Sequence, residues 1–308
     1  MKKIFLAFLS AILCFFILLT AAGCYAYDEE INGGSESSSD YLGTGISTDD
    51  NGAETQKKIE KKTEKRTEKK TEKQTEPQKK LTVKFASYNI YHGGNNSDLK
   101  KIAANIKDNG IDVVGLQEVD NGVKRSGKVN QAQKLSQLTG LNYYAFFKAI
   151  SLDGGSYGLA ILSRYPIEKS NTIKLSSASS EQRVLGHSVI NADGEKINFF
   201  VTHLSYDGEG GGSSRSKQFS EVAKELAKYD NFVLSGDFNT RNLDEYSVIS
   251  GSALVNSKED PKITYPDGRS PLDNLVYSTS AWSFNKINVI TESYSDHYMI
   301  FAQATYKK

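Results

Sequence analysis

Cysteine is scarce in this chain of 308 residues. Its two cysteines, Cys14 and Cys24, both lie within the first 24 residues. The sequence after residue 24 therefore has no thiol for a disulfide or for nucleophilic catalysis. A domain folded from it must be stabilised by core burial, alone or together with a bound metal.

The chain also lacks a strong excess of charge of either sign, with a formal net charge of +1. Residues 1–56 carry 2 basic and 8 acidic side chains, and residues 57–80 carry 11 basic and 5 acidic ones. Residues 81–308 carry 25 basic and 24 acidic side chains, which excludes a broadly basic surface. A polyanionic partner would have to be held by a local patch and a metal.

The first 24 residues follow the pattern of a secretion signal. A charged start, Met1-Lys2-Lys3, precedes an apolar stretch, 4–19, that is short for a membrane span, and small residues follow before Cys24. The Ala-Ala-Gly-Cys stretch resembles a bacterial lipobox, although Ala21 stands where leucine is usual. We expect Cys24 to be lipidated and the protein to be secreted and anchored to the outer face of the bacterial cytoplasmic membrane. An ordinary cleaved signal is the alternative.

Residues 25–80 have the composition of a disordered, charged linker. Gly, Ser, Asp and Asn dominate residues 28–54, and four-residue units beginning Thr-Glu repeat from 63 to 78. A helix is the alternative, but a period of four would stack Glu64, Glu68 and Glu72 as like charges. We expect a flexible tether before a folded domain at 81–308.

Residues 81–308 alternate between strand-like and helix-like patterns. Helices are predicted at 98–109, 129–138 and 216–228 from apolar residues spaced three and four apart. Strands are predicted at 81–90, 112–117, 143–149, 158–163, 184–191, 196–204, 231–235, 274–278, 282–290 and 298–305. Two early strand–helix units followed mostly by strands favour an α/β or α+β sandwich with sheets inside and helices outside.

Polar side chains stand at the ends of several predicted strands. Asn89, Glu118, His203 and Asp237 each follow an apolar run, and Asp296-His297 directly precedes one. Taken singly, such residues are usually turn formers or solvated side chains. Taken together they indicate a site, because a rigid sheet positions side chains that water and ligand can still reach.

The ordered motifs resemble those of the endonuclease/exonuclease/phosphatase superfamily from about residue 82 to 305. The stretches SYNIYHGG, GLQEVD, VTHL, SGDFN, PLDNLVYS and YSDHYMI carry the resemblance, and YGLAILSRYPI fits it with Leu159 where asparagine is frequent. The family includes deoxyribonucleases, abasic-site endonucleases, sphingomyelinases and inositol-polyphosphate phosphatases. The resemblance implies a four-layer α/β (α+β) sandwich of two mixed β-sheets packed face to face, with helices outside.

The resemblance also implies a role for each motif residue in phosphoester hydrolysis. Glu118, with Asn89 and Asp296, would bind Mg²⁺, with Mn²⁺ or Ca²⁺ as alternatives. Asp237 would activate the attacking water. Asn239, on the same side of an extended strand, would donate to a phosphate oxygen. His297, paired with Asp273, would also donate to the phosphate, and His203 would assist the leaving group.

The substrate is less well specified by the sequence. Nucleic acid is the first candidate, and Arg183 and Arg125 are candidate phosphate-binding residues. A phospholipid headgroup is the second candidate, although the single tryptophan, Trp282, falls in a predicted strand and the polar loop 207–214 does not suit membrane insertion. An inositol-phosphate phosphatase and a non-catalytic tethered binding protein of the same fold are further alternatives. We expect the protein to be a monomer. His92 is predicted to be a turn residue beside the cleft.

Overall fold

The computed structural model describes residues 80–93, 99–178, 181–206, 212–292 and 294–307. By its contacts the chain separates into Met1–Thr71 and Glu72–Lys308, and every described residue belongs to the second unit. The predicted leader with Cys24, and the predicted linker except Lys80, lie outside the described residues. Their boundaries therefore stay predictions.

The described residues form three α-helices, three short 3₁₀ turns and twelve strands. The helices are α1 (Leu99–Asp108), α2 (Gln131–Thr139) and α3 (Gly212–Leu226), and the 3₁₀ turns are Tyr91–Gly93, Lys124–Ser126 and Leu243–Val248. The strands are β1 (Thr82–Asn89), β2 (Val113–Asn121), β3 (Tyr143–Leu152), β4 (Gly155–Ser163), β5 (Ile167–Lys174), β6 (Val184–Ala192), β7 (Glu195–His203), β8 (Phe232–Asp237), β9 (Ser252–Leu254), β10 (Asp273–Ser278), β11 (Trp282–Ile290) and β12 (Met299–Tyr306). Within the described ranges, none of the helices combines the length and the apolar character that crossing a membrane requires.

The strands build two six-stranded mixed sheets. The first sheet has the order β11-β12-β1-β2-β4-β3, and the second has the order β5-β6-β7-β8-β10-β9. β1 and β2 run parallel in the first sheet, as β7 and β8 do in the second, and the other pairings are antiparallel. Each sheet therefore has one parallel pair near its centre, and the carboxyl ends of those strands meet at one edge.

The core has three layers of apolar contact, which place the helices outside the sheets. Between the sheets, Phe85 of β1 stacks on Phe199 of β7 with ring centroids 5.5 Å apart, and Trp282 is fully buried beside them. On the outer face of the first sheet, α1 and α2 bury residues such as Ile102. On the outer face of the second sheet, α3 buries residues such as Phe219. This confirms the predicted four-layer sandwich.

The predicted helices and strands are all present, and the structure adds two strands and shifts several element ends. β5 was not predicted, because its residues are mostly exposed and polar at a sheet edge, so no alternating apolar pattern marks it. β9 was also missed, since it has only three residues. α3 begins at Gly212 rather than at residue 216.

Candidate active site

The first sheet contributes an amide and two carboxylates to one edge of the sandwich. Asn89 ends β1 and pairs with Gln117 of β2, so Glu118 lies one residue beyond it. Asp296 precedes β12, the other neighbour of β1. Ser295 Oγ donates a hydrogen bond to the Asn89 carbonyl oxygen at 2.7 Å, which fixes the Asp296 segment against the end of β1.

The second sheet contributes histidines and carboxylates to the same edge. His203 at the end of β7 pairs with Asp237 at the end of β8, and Asp237 also pairs with Asp273, the first residue of β10. His297 extends from the segment before β12 to this group. Its Nδ1 lies 2.8 Å from Asp273 Oδ2, and its Nε2 lies 3.5 Å from Asp237 Oδ2.

Asn89 links the two halves of the site. Its Nδ2 donates to Glu118 Oε1 at 3.0 Å and to Asp237 Oδ2 at 3.1 Å, while its Oδ1 accepts from the Tyr91 backbone N–H at 3.0 Å. All eight residues predicted to catalyse or to bind the metal therefore lie at one edge. In this arrangement the Asn89 amide holds two carboxylates in place and turns its oxygen towards the turn that follows β1.

Glu118 has a backbone conformation that redirects its side chain. Its φ is +58°, in the left-handed region that non-glycine residues rarely adopt. It sits where the β2–β4 register shifts between Leu116 and Val119. Such a bulge bends the strand and turns a side chain out of its alternation. The sequence predicted a strand ending at residue 117, whereas β2 continues through this bulge to Asn121.

Asn239 reaches the site by a different route from the one predicted. It follows β8 with a φ of +51°, so the expectation that it shares a face with Asp237 along an extended strand is wrong. Its backbone N–H donates to Asp237 Oδ1 at 2.9 Å. Its side-chain Nδ2 lies 3.0 Å from both His203 Nε2 and the Leu204 carbonyl oxygen. Phe238 between them is buried, as predicted.

His297 is the cation of the described site. Burial alone would lower its pKa, but the carboxylates of Asp273, Asp237 and Asp296 outweigh burial and raise the pKa to about 10. The imidazole is therefore protonated at neutral pH. Nδ1–H donates to Asp273, which leaves Nε2–H as a charged donor directed towards the Asp237 side of the cleft.

The two carboxylates held by Asn89 are both harder to ionise than usual. Burial raises the pKa of Glu118 to about 7, assisted by the negative charges of Asp296 and Asp237 and opposed by the Asn89 hydrogen bond. Burial also raises the pKa of Asp237 to about 6, opposed by the charge of His297. Several carboxylates with one imidazolium make a site that gains from a further cation.

His203 is neutral in this arrangement. Burial, followed by the charges of Arg183 and His297, lowers its pKa well below the usual value. Its Nε2 is 3.5 Å from Asp237 Oδ2, but a neutral ring at that distance does not form an ion pair. Because Asn239 Nδ2 donates to Nε2, that nitrogen is an acceptor here. The predicted help to a leaving group requires a proton on it and stays a prediction.

The donor set fits a hard divalent cation on the Glu118 side of the cleft. Glu118 keeps part of its surface exposed, and its Oε2 accepts no hydrogen bond within the described part of the chain. Ligand atoms of Asp237, Asp273 and His297 also lie within 4.8 Å of one another. However, a protonated His297 cannot ligate a metal, so Glu118 and Asp296 offer the better oxygen ligands, with Asn89 beside them.

The two predicted phosphate-binding arginines are already engaged. Arg183 is buried, and its Nη1 lies 2.7 Å from Glu181 Oε1. Arg125 forms a two-pronged ion pair with Asp120, with both nitrogen–oxygen distances at 2.9 Å. Their contact with a substrate stays a prediction, and at this burial Arg183 acts on the site chiefly through its charge.

Sequence reasoning missed two residues at this edge, Tyr265 and Gln131, and one contact, that of Ser295. The ring of Tyr265 packs against that of His297, with centroids 5.1 Å apart. Gln131, at the start of α2, braces the turn after β1 by donating from Nε2 to the His92 carbonyl oxygen at 2.6 Å. Ser295 anchors the Asp296 segment. Ser295 belongs to the motif stretch YSDHYMI, but its contact with the end of β1 was not predicted, and no sequence spacing connects Gln131 or Tyr265 to the cleft.

Comparisons with known proteins agree with this fold. The model of the Endonuclease/Exonuclease/phosphatase family matches residues 86–297. No protein with a curated description matches the sequence. Among solved structures, an endonuclease/exonuclease/phosphatase from Beutenbergia cavernae is 18% identical, with a TM-score of 0.60 over 73% of this chain and 72% of that one.

Two further solved structures are similar to this chain. The human Nocturnin catalytic domain with a bound sulfate anion is 19% identical, with a TM-score of 0.59 over 73% of this chain and 94% of that chain. A mannosyl-6-phosphatase from Bacteroides thetaiotaomicron is 18% identical, with a TM-score of 0.54 over 72% of this chain and 99% of that chain. These similarities support the fold alone, and the chemistry is argued from the residues of the cleft.

Proposed function

The chain belongs to the Endonuclease/Exonuclease/phosphatase family, and we propose that it is a Mg²⁺-dependent hydrolase that cleaves a phosphodiester with an activated water. Members of this family are typically metal-dependent phosphoester hydrolases. The observation that carries the proposal is the Asn89 amide, which holds Glu118 and Asp237 at 3.0 and 3.1 Å beside a protonated His297.

His297 is proposed to bind and orient the phosphate. Its Nδ1–H donates to Asp273, so the ring cannot rotate without breaking a buried, charge-assisted hydrogen bond. Its Nε2–H, which lies 3.5 Å from Asp237 Oδ2, is proposed to donate to a phosphate oxygen, where its positive charge offsets the charge that develops in the transition state.

Asp237 is proposed to be the general base for the attacking water. With a pKa of about 6 it is mostly ionised at neutral pH, yet it is basic enough to accept a proton. Asn239 is proposed to donate to the phosphate from Nδ2, which requires the phosphate to replace its present contact with His203. His203 would assist the leaving oxygen once protonated at Nε2.

Glu118, with Asp296 and Asn89, is proposed to hold Mg²⁺, and Mn²⁺ or Ca²⁺ are the alternatives. The ion, when bound, neutralises charge on the phosphate oxygens. A cation that keeps part of its hydration shell needs only one or two protein carboxylates, which is what this side of the cleft offers.

Nucleic acid is proposed as the substrate, and a phospholipid headgroup is the second candidate. The balance of 25 basic and 24 acidic residues in 81–308 disfavours a protein that grips a long duplex through its surface. The lipid alternative gains support from the lipobox-like Cys24, which would keep the site near a membrane. A phosphatase remains a third candidate.

The decisive measurement is hydrolysis by the purified full chain after EDTA treatment and after adding back Mg²⁺, Mn²⁺ or Ca²⁺. We expect metal-dependent turnover of bis(p-nitrophenyl) phosphate, and nicking of plasmid DNA in preference to sphingomyelin vesicles. Preference for the vesicles would select the lipid alternative. If DNA, RNA, phospholipid and an inositol phosphate all stay intact with every ion, the chain is a binding protein of the same fold.

We propose that residues 1–23 are removed and that Cys24 is lipidated and becomes the mature N-terminus. We further propose that residues 25–80 tether the domain to the outer face of the cytoplasmic membrane, and that the domain is monomeric. A Cys24→Ser variant should leave the membrane fraction, while wild type stays there until detergent is added. A wild-type chain recovered in the soluble fraction at its unlipidated mass would contradict the anchor.

A further inference from the structure

Two aromatic residues follow β1 in a strained turn beside Asn89. Tyr91 and His92 have φ values of +43° and +44°, and Gly93 follows at +100°. Consecutive non-glycine residues in this region are costly, so they persist where the surroundings hold them. Their rings lie 4.3 Å apart at an interplanar angle of 35°, and both residues are partly exposed.

Buried contacts fix this turn in place. Gln131 is 1% exposed, and its side chain donates to the His92 carbonyl oxygen at 2.6 Å and accepts from the Asp120 backbone N–H at 2.8 Å. The Tyr91 N–H donates to Asn89 Oδ1. The ring pair is therefore held rigidly beside the residues that link the two halves of the site.

A third ring lies on the other side of the cleft. Tyr265 is partly exposed and packs on His297 at an interplanar angle of 69°. Its segment is pinned to the site, since Tyr298 N–H donates to the Thr264 carbonyl oxygen at 2.7 Å and Asp273 N–H donates to Thr264 Oγ1 at 2.9 Å. Tyr265 is thus a rigid aromatic group at the catalytic imidazole.

The two aromatic groups face the same acidic cleft. Tyr265 packs on His297, whose Nε2 lies 3.5 Å from Asp237 Oδ2, and Asn89 donates to that same oxygen while it accepts from the Tyr91 N–H. This chain of contacts joins both aromatic groups to one cleft. Burial and the charge of Arg125 lower the pKa of His92, so its ring is neutral at neutral pH. The cleft therefore has flat, uncharged faces beside its carboxylates.

Resting on the phosphodiesterase proposed above, we infer that Tyr91 and His92 on one side and Tyr265 on the other form a subsite for a ring of the substrate next to the scissile phosphate. Aromatic faces gain from stacking on a base or covering the apolar face of a sugar, whereas they offer little to an acyclic headgroup. The subsite thus favours a nucleoside or sugar phosphate ester.

Two p-nitrophenyl esters test this with a shared leaving group. Thymidine 5′-(p-nitrophenyl phosphate) carries a base and a sugar, and methyl p-nitrophenyl phosphate carries neither. We expect the full chain with Mg²⁺ to prefer the thymidine ester by about tenfold or more in kcat/KM, the scale of one base–aromatic stack. Tyr265→Leu should reduce that ratio several-fold, and Tyr265→Phe should keep it.

The matched control is Tyr143→Leu. Tyr143 is 41% exposed and pairs with Ser163 at the end of the first sheet that lies opposite the cleft. The Tyr143→Leu variant should keep the wild-type ratio of kcat/KM between the two esters. A wild-type ratio near one, or a ratio that Tyr265→Leu leaves unchanged, would overturn the ring subsite while leaving the phosphodiesterase standing.

Binding supplies a readout that does not depend on turnover. In calorimetry with Mg²⁺, thymidine 5′-phosphate and ribose 5-phosphate should bind more tightly than inorganic phosphate, and Tyr265→Leu should weaken the two organic ligands selectively. Tighter binding of thymidine 5′-phosphate than of ribose 5-phosphate would show that the aromatic side chains contact the base. Equal affinity for these two ligands would show that they contact the sugar. Equal affinity for all three ligands overturns the inference. Tighter organic-ligand binding without hydrolysis of either ester overturns the proposed function alone.

Discussion

The two halves of the cleft are built alike and charged differently. Each uses a central parallel strand pair, β1 with β2 and β7 with β8, together with an antiparallel strand that begins at the same edge. The first sheet supplies Glu118 and Asp296, with Asn89 between sheets. The second supplies neutral His203 and the Asp237 and Asp273 carboxylates, against which His297 is protonated.

That difference separates two tasks within one architecture. In the Glu118 half, burial and the neighbouring charge of Asp296 raise the pKa of Glu118, and this arrangement suits the binding of a metal ion. The half around Asp237 has its own cation in His297, which suits proton transfer and phosphate binding. If the separation is correct, changes in one half should alter metal affinity, and changes in the other should alter turnover at saturating metal.

The largest expected effect is loss of turnover in the histidine half. His297→Ala and Asp237→Asn should each lower kcat by about 10²- to 10⁴-fold at saturating Mg²⁺. The first variant loses the positive charge that stabilises the transition state, and the second loses the base that accepts the proton of the attacking water. Calorimetric metal affinity is the comparison measurement. A fall in metal affinity with kcat preserved would assign these residues to the metal half instead.

The Asp273 contact should appear in the pH dependence. Activity that requires protonated His297 falls as pH rises through its pKa of about 10. Asp273→Asn should move this alkaline limit to lower pH, because the carboxylate that raises the pKa is gone. The raised pKa of His297 also affects the stability of the wild-type fold. Protonated His297 contributes its full stabilisation below pH 6.5, and this contribution is lost as pH rises to about 10. If the alkaline limit of Asp273→Asn stays at the wild-type pH, the requirement for protonated His297 is contradicted.

A smaller effect is expected on the metal. Glu118→Gln should weaken Mg²⁺ binding by at least about tenfold, and excess metal should partly restore turnover. In wild type the affinity should rise with pH through about 7, because Glu118 must lose its proton to bind. Without metal, its raised pKa makes the folded state less stable as pH rises from 4.5 to about 7. Calorimetry checks the affinity, with Glu195→Gln as control because Glu195 is partly exposed at the end of β7 opposite His203. A pH-independent wild-type affinity would contradict the prediction.

Gln131 tests whether the halves depend on the turn after β1. Gln131→Met keeps the side-chain length but leaves the His92 carbonyl and Asp120 N–H without their partner, at a cost of about 1–3 kcal/mol in unfolding free energy. We expect weaker metal binding through Asn89 with a smaller change in kcat at saturating metal. Denaturant unfolding and metal titration measure the two effects, and unchanged values of both would remove Gln131 from the site's support.

The smallest effect on the cleft should come from the interface that joins the halves. A Cβ on Gly115 of β2 would lie 1.8 Å from Ser235 Oγ of β8, so Gly115→Ala forces the sheets apart. We expect a loss of about 1–3 kcal/mol in stability with KM nearly unchanged. Ser235→Gly in the same chain should restore part of the loss. No destabilisation would mean that the sheets separate easily at this point.

Much of this arrangement was predictable from the residues. The apolar runs before Asn89, Glu118, His203 and Asp237 located the strand ends, and the order of motifs indicated the family and the four layers. Arg125 and Arg183 show the limit, because the sequence cannot show that Asp120 and Glu181 already bind them. β5 was hidden because an exposed edge strand needs no apolar alternation.

The sequence by itself determined which residue types stand at strand ends, because local apolar periodicity and short motifs are properties of neighbouring residues. Only the tertiary structure decided how these side chains meet. The left-handed turns at Glu118 and Asn239, the Asn89 bridge and the raised pKa values of Glu118 and His297 arise from groups far apart in the chain. Strain and desolvation of this kind exist only once the two sheets have packed.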